Sequence, residues 1–174
     1  FSDAGRPYNF SAGAASTLKV ENTNISMSPT SGFIGLLSSG ELQITTNSHV
    51  DAGKAVLLIS QGGPVRITSS NITVGTGIVT NQDTIKGLVV VTGGDLTFDT
   101  TTTTVTGIKL AGAGSSGDII LTSSNIFSPT NGIQAAAAGG INVTNSTVSG
   151  SSIKAAAGGK IALASDAYFS SSNA

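Results

Sequence analysis

One pattern recurs seven times along this chain. An apolar residue, any residue and a second apolar residue are followed, after about four small or polar residues, by a third apolar one. The triplets are Leu18, Val20 and Ile25; Leu42, Ile44 and Val50; Val65, Ile67 and Ile72; Leu96, Phe98 and Val105; Ile119, Leu121 and Ile126; Ile141, Val143 and Val148; and Ile161, Leu163 and Tyr168. The first positions advance by 24, 23, 31, 23, 22 and 20 residues. The single long step holds an insertion around residues 78–87. Fixed-period self-similarity of this length marks a solenoid, in which each repeat leaves an apolar edge that only its neighbours can bury.

A further apolar pair precedes each triplet. It reads Tyr8 and Phe10, Ile34 and Leu36, Leu57 and Ile59, Leu88 and Val90, Ile108 and Leu110, Ile133 and Ala135, and Ile153 and Ala155. Alternation with period two is the mark of a strand. Ser, Thr, Gly, Asn and β-branched residues weaken any helical reading. The Ala-rich stretches 135–138 and 155–157 stand where Leu57 to Ile59 stand in an earlier repeat, so they too read as strand. Glycine sits between pair and triplet, as in Gly62-Gly63, Gly93-Gly94 and Gly139-Gly140, and is expected to supply positive φ at a corner.

The expected fold is therefore all-β: a single-domain right-handed parallel β-helix spanning residues 1–174, with about seven coils of 20–25 residues. Right-handedness follows from the general rule for parallel crossovers. Coils stacked about 4.8 Å apart make a rod roughly 30 to 35 Å long. Its core column is Leu18, Leu42, Val65, Leu96, Ile119, Ile141 and Ile161. A β-sandwich would not need the same residue type at the same place seven times. No cap is evident at either end, so the chain is expected to be a slice of a longer rod or a subunit that stacks on copies of itself.

Before the third apolar position stand Asn24, His49, Asn71, Thr104, Asn125, Thr147 and Ala167. The recurrent Asn24, Asn71 and Asn125 are expected to serve a turn or a stacked amide ladder.

Composition narrows the function. Charged residues are 10% of the chain, against roughly 25% in soluble proteins generally. Eight Lys and Arg give no excess to neutralise phosphates, which argues against nucleic acid as a partner. There is no Cys and one His, so neither a thiolate zinc site nor a multi-His site is available. No apolar run is long enough to span a membrane. At 39% hydrophobic, the chain has enough apolar surface to fold. Ser and Thr number 25 and 22, and dominate the polar positions.

The segment Gly117-Asp118-Ile119-Ile120-Leu121-Thr122-Ser123-Ser124-Asn125-Ile126 and its counterpart from Gly140 to Val148 resemble repeats of secreted bacterial β-helix proteins. The nearest in pattern are filamentous-haemagglutinin-like adhesins and autotransporter passenger domains. The resemblance covers residues 8 to 168. It implies a secreted or cell-surface rod used in adhesion, aggregation or matrix building, with itself or cell-surface glycans as partners. It brings no catalytic residue and no cofactor with it.

The alternative expectation is a glycan-binding or glycan-cleaving β-helix, tailspike- or polysaccharide-lyase-like, and the third is an ice-binding solenoid. β-Helix lyases and hydrolases use carboxylate clusters on one strand face, with a basic residue for the lyases, and a catalytic carboxylate pair needs a cleft. Here only Asp95 and Asp118 share a corner in neighbouring coils, with Glu41 at the equivalent place, giving at most a calcium column. No long loop walls a cleft apart from 78–87, so an enzyme is not expected. His49 beside Asp51 has no nucleophile motif around it. Gly112 to Gly117 lacks the Gly-Lys-[ST] ending of a phosphate loop. The hydroxyl-rich pairs Asn22-Thr23, Thr46-Asn47, Ser69-Ser70, Ser123-Ser124 and Asn145-Ser146 form a polar face, but without the regular Thr lattice that ice binding needs.

Overall fold

A computed structural model describes residues 8–12, 16–27, 32–75, 87–99, 101–104, 108–112, 117–128 and 132–171. Every regular element among them is a strand. The first sheet comprises Tyr8–Ala12, Phe33–Ser38, Ala55–Ser60, Gly87–Thr92, Ile108–Gly112, Ile133–Ala137 and Ile153–Ala157. The second comprises Leu18–Glu21, Leu42–Thr45, Val65–Thr68, Leu96–Asp99, Ile119–Thr122, Ile141–Thr144 and Ile161–Ala164. The third comprises Asn24–Ser26, His49–Ala52, Asn71–Val74, Thr102–Thr104, Asn125–Ser128, Thr147–Gly150 and Tyr168–Ser171. Each coil gives one strand to each sheet, all pairings are parallel, and every strand pairs with the one three elements on. The fold is a parallel β-solenoid. The insertion expected at 78–87 lies outside the described residues but for Gly87.

The core is what the alternation requires. In the second sheet Leu42, Val65, Leu96, Ile119 and Ile141 are buried, Leu18 is partly buried, and Ile161 in the last coil is 47% exposed. Ile44, Ile67, Phe98, Leu121 and Val143 form the file beside them, in register. Phe98 is the bulkiest of the fully buried side chains. Burying such a side chain stabilises the fold by about 1.5–3 kcal/mol.

Three details depart from the sequence reading. In the first sheet Val56 and Leu58 face inward, while Leu57 and Ile59 pair with Gly35 and Leu37 on the outside. A run of four apolar residues satisfies either phase, so alternation alone cannot set it; a one-residue slip exchanges the faces. In the fourth coil Thr103, not Val105, is in register with Ile72 and Ile126; Val105 lies outside the described residues. In the seventh coil Phe169 pairs with Val148, and Tyr168 pairs with Thr147. That shift comes from one extra residue in the preceding corner, where Ser165 and Asp166 both have positive φ.

The corners also divide their labour differently from expectation. Among the described residues, the glycines between the first and second sheets do not take positive φ. They are there because backbones touch: a side chain at Gly117 would come within 2.5 Å of the Gly94 carbonyl oxygen, and one at Gly62 within 2.8 Å of that of Ser39. The left-handed backbone lies at the other corner, on Asn22, Thr46, Asn47, Ser69, Ser123 and Asn145 (φ 46 to 56°). Asn is tolerant there, whereas Ser and Thr adopt it at a cost.

Candidate functional site

With the core filled, chemistry is left to the outward faces and the corners. The corner carboxylates are spoken for. Asp95 Oδ1 accepts the backbone N–H of Asp118 at 3.0 Å, and Asp118 Oδ1 accepts that of Gly140 at 2.6 Å. Each carboxylate thus satisfies a donor of the next coil. Glu41, at the equivalent place, pairs instead with Arg66, Nε to Oε1 2.8 Å. Among the described residues no three His, Cys, Asp or Glu side chains are gathered to hold a metal.

Asn24, Asn71 and Asn125 stand on the outward face of the third sheet and are exposed. Asn24 and Asn71 flank His49 in register. The stacked polar ladder lies one residue earlier and is made of hydroxyls. Ser48, Ser70, Thr101, Ser124 and Ser146 are all buried. The N–H of Ser48 donates to Ser70 Oγ at 3.3 Å, that of Thr101 to Ser124 Oγ at 3.3 Å, and that of Ser124 to Ser146 Oγ at 2.9 Å. Each serine hydroxyl in turn donates to a carbonyl of its own coil, as Ser70 does to Thr68, Ser124 to Thr122 and Ser146 to Thr144. So in three of the pairs read as one polar face the second member, Ser70, Ser124 or Ser146, is buried, whereas Asn47 in the second coil is exposed. The signal was in the sequence: a Ser or Thr stands before His49, Asn71, Asn125 and Thr147 alike.

The outward faces differ in chemistry. The first sheet presents half-buried Leu37, Leu57, Ile59 and Val91, then Gln134 and Lys154, and contains no carboxylate. The second sheet carries Thr68, Thr122 and Thr144 in one file, with Asp99 between the first two and Arg66 two residues before Thr68. At its first coil Lys19 Nζ lies 2.9 Å from Glu21 Oε2. That hydrogen bond and charge, aided by the Thr46 hydroxyl, hold the Glu21 carboxyl below its usual range.

The third sheet contains no Lys or Arg, and Asp51 is its one acid. Beside its first three strands lies an open depression of about 620 Å³, lined by Asn24, Asn47, Ser48, His49, Ser69, Ser70 and Asn71. Further along, Phe127 and Tyr168 stand outward, 41% and 55% exposed. The sequence reading missed both. Phe127 follows the inward Ile126 and so falls on the outward phase; Tyr168 was read one place out of phase.

The geometry defines a class, a parallel β-solenoid with a packed interior and a largely uncharged, hydroxyl- and amide-rich outward face. No family model, curated protein or solved structure matches this chain.

Proposed function

We propose that the chain is a non-enzymatic structural rod of a secreted or cell-surface protein, acting by adhesion and by association with other rods. The carrying observation is the third sheet's outward face, which offers amides, hydroxyls and aromatic rings with almost no charge. Such a face suits repeated weak polar contacts with an extended partner. Association of rods is supported by the sparse charge of the chain, 10% of its residues. With few charges, little repulsion opposes it. The engagement of Asp95 and Asp118 with backbone donors favours a structural role for those carboxylates.

Sedimentation velocity across a concentration series, cell adhesion to surfaces coated with the protein, and reducing-end release from polysaccharides test this reading together. Concentration-dependent assembly and adhesion without sugar release are expected. Release of reducing ends would replace the reading with a glycan-cleaving one, and a monomer that adheres to nothing would remove it.

A further inference from the structure

We infer that the last three coils of the third sheet form a binding site for neutral oligosaccharides; this rests on the adhesive reading above and gives that adhesion a place. The site is a patch of two files and three strands. Asn125 and Phe127 lie on one strand, Thr147 and Ser149 on the next, and Tyr168 and Ser170 on the third. The two aromatic residues occupy opposite corners. They are separated by two strand spacings, about 10 Å, and by two residues along the strand, about 7 Å, so about 12 Å on the diagonal. The residues between them, Thr147 and Ser149, are hydroxyl-bearing and face outward while Val148 is buried. Among the described residues none of the polar side chains in this patch makes a side-chain hydrogen bond.

That combination selects its ligand. A pyranose offers an apolar face of C–H bonds, which packs on an aromatic ring, and a rim of hydroxyls that both donate and accept. Two rings separated by free hydroxyls and flanked by an amide fit two such units held along one chain. Protein partners need a contiguous apolar centre within roughly 800 Å² a side, whereas here the apolar rings are split by a hydroxyl strand. Nucleic acids and acidic glycans need cations, and the third sheet has neither Lys nor Arg.

The test uses the whole chain against an array of neutral cello-, xylo-, laminari- and chito-oligosaccharides of two to six units, with sialylated and sulfated glycans and extracellular-matrix proteins beside them. Binding to one or more neutral series is expected. Phe127→Ser and Tyr168→Ser should each weaken it about tenfold, Phe127→Tyr should retain it, and Leu57→Ser on the first sheet should leave it unchanged. All variants should keep the wild-type circular dichroism, and the ring variants should stay folded at the assay temperature, since both rings lie outside the core. Binding that survives the double variant Phe127→Ser/Tyr168→Ser overturns the assignment, while continued cell adhesion would leave the adhesive reading standing. Capture of acidic glycans or matrix proteins alone overturns it too.

Discussion

The backbone N–H of Ser124 donates to the hydroxyl of Ser146 in the next coil at 2.9 Å, and that hydroxyl donates to Thr144 O at 2.7 Å. One side chain thus takes up a donor from its neighbour and an acceptor from its own coil. Repeated along the stack, the arrangement satisfies a buried corner that the sheets themselves leave unpaired.

Ser124→Ala should therefore cost about 1–3 kcal/mol. It strands the Thr101 N–H and hydroxyl, which donate to Ser124 Oγ at 3.3 and 3.2 Å, and an unsatisfied buried donor pays its full desolvation. Urea unfolding monitored by circular dichroism checks this. Ser123→Ala, one residue away and exposed, should cost much less.

The inward phase of the first sheet is checked by a contrast. Leu58→Ala should destabilise by about 2–5 kcal/mol, because Leu58 is fully buried. Leu57→Ser should cost distinctly less, about 1 kcal/mol, since Leu57 faces outward and is only half-buried. Equal losses at the two positions would contradict the register. Phe98→Ala, at the centre of the second sheet, should cost about 3–5 kcal/mol.

Ser69 holds a left-handed backbone with φ of 47°. That conformation costs a side-chain-bearing residue about 1–2 kcal/mol, and glycine avoids it while losing part of the gain to unfolded-state entropy. Ser69→Gly should raise the melting midpoint modestly, and Ser69→Val should lower it. A lowered midpoint for the glycine variant would show that the hydroxyl stabilises this corner.

Lys19 lowers the Glu21 carboxyl. The sign follows from linkage: a depressed folded-state value means that the contribution is present above the unfolded carboxylate range and is lost as pH falls through the lowered value. A carboxyl NMR titration should find the Glu21 midpoint below that of an unstructured Glu, and Lys19→Met should move it upward. Glu21 lies in solvent, so the thermal midpoint at neutral pH should barely respond.

The period of the chain carried the architecture, because seven repeats of apolar alternation leave few other ways to bury Ile44, Ile67, Phe98 and Leu121 in one file. Phase was harder. Ala55 to Ile59 is apolar throughout, so the residues that face water are decided by the strands above and below rather than by the segment itself. The extra corner residue at Ser165 and Asp166 moved Tyr168 from core to surface in the same way. Glycine misled because its two uses look identical in a sequence. At Gly117 it serves close approach, and the positive φ falls on Ser123 instead. The patch of Phe127 and Tyr168 was illegible for a related reason: it joins two residues brought onto one face only by the stacking of coils.

The in-line register has an evolutionary corollary. Since Leu96 meets Ile119 just as Ile119 meets Ile141, a gene that lost or duplicated one full turn would encode a shorter or longer shaft with matching contacts at the splice. The length of the stack can then change in whole turns, leaving the pairings on either side untouched.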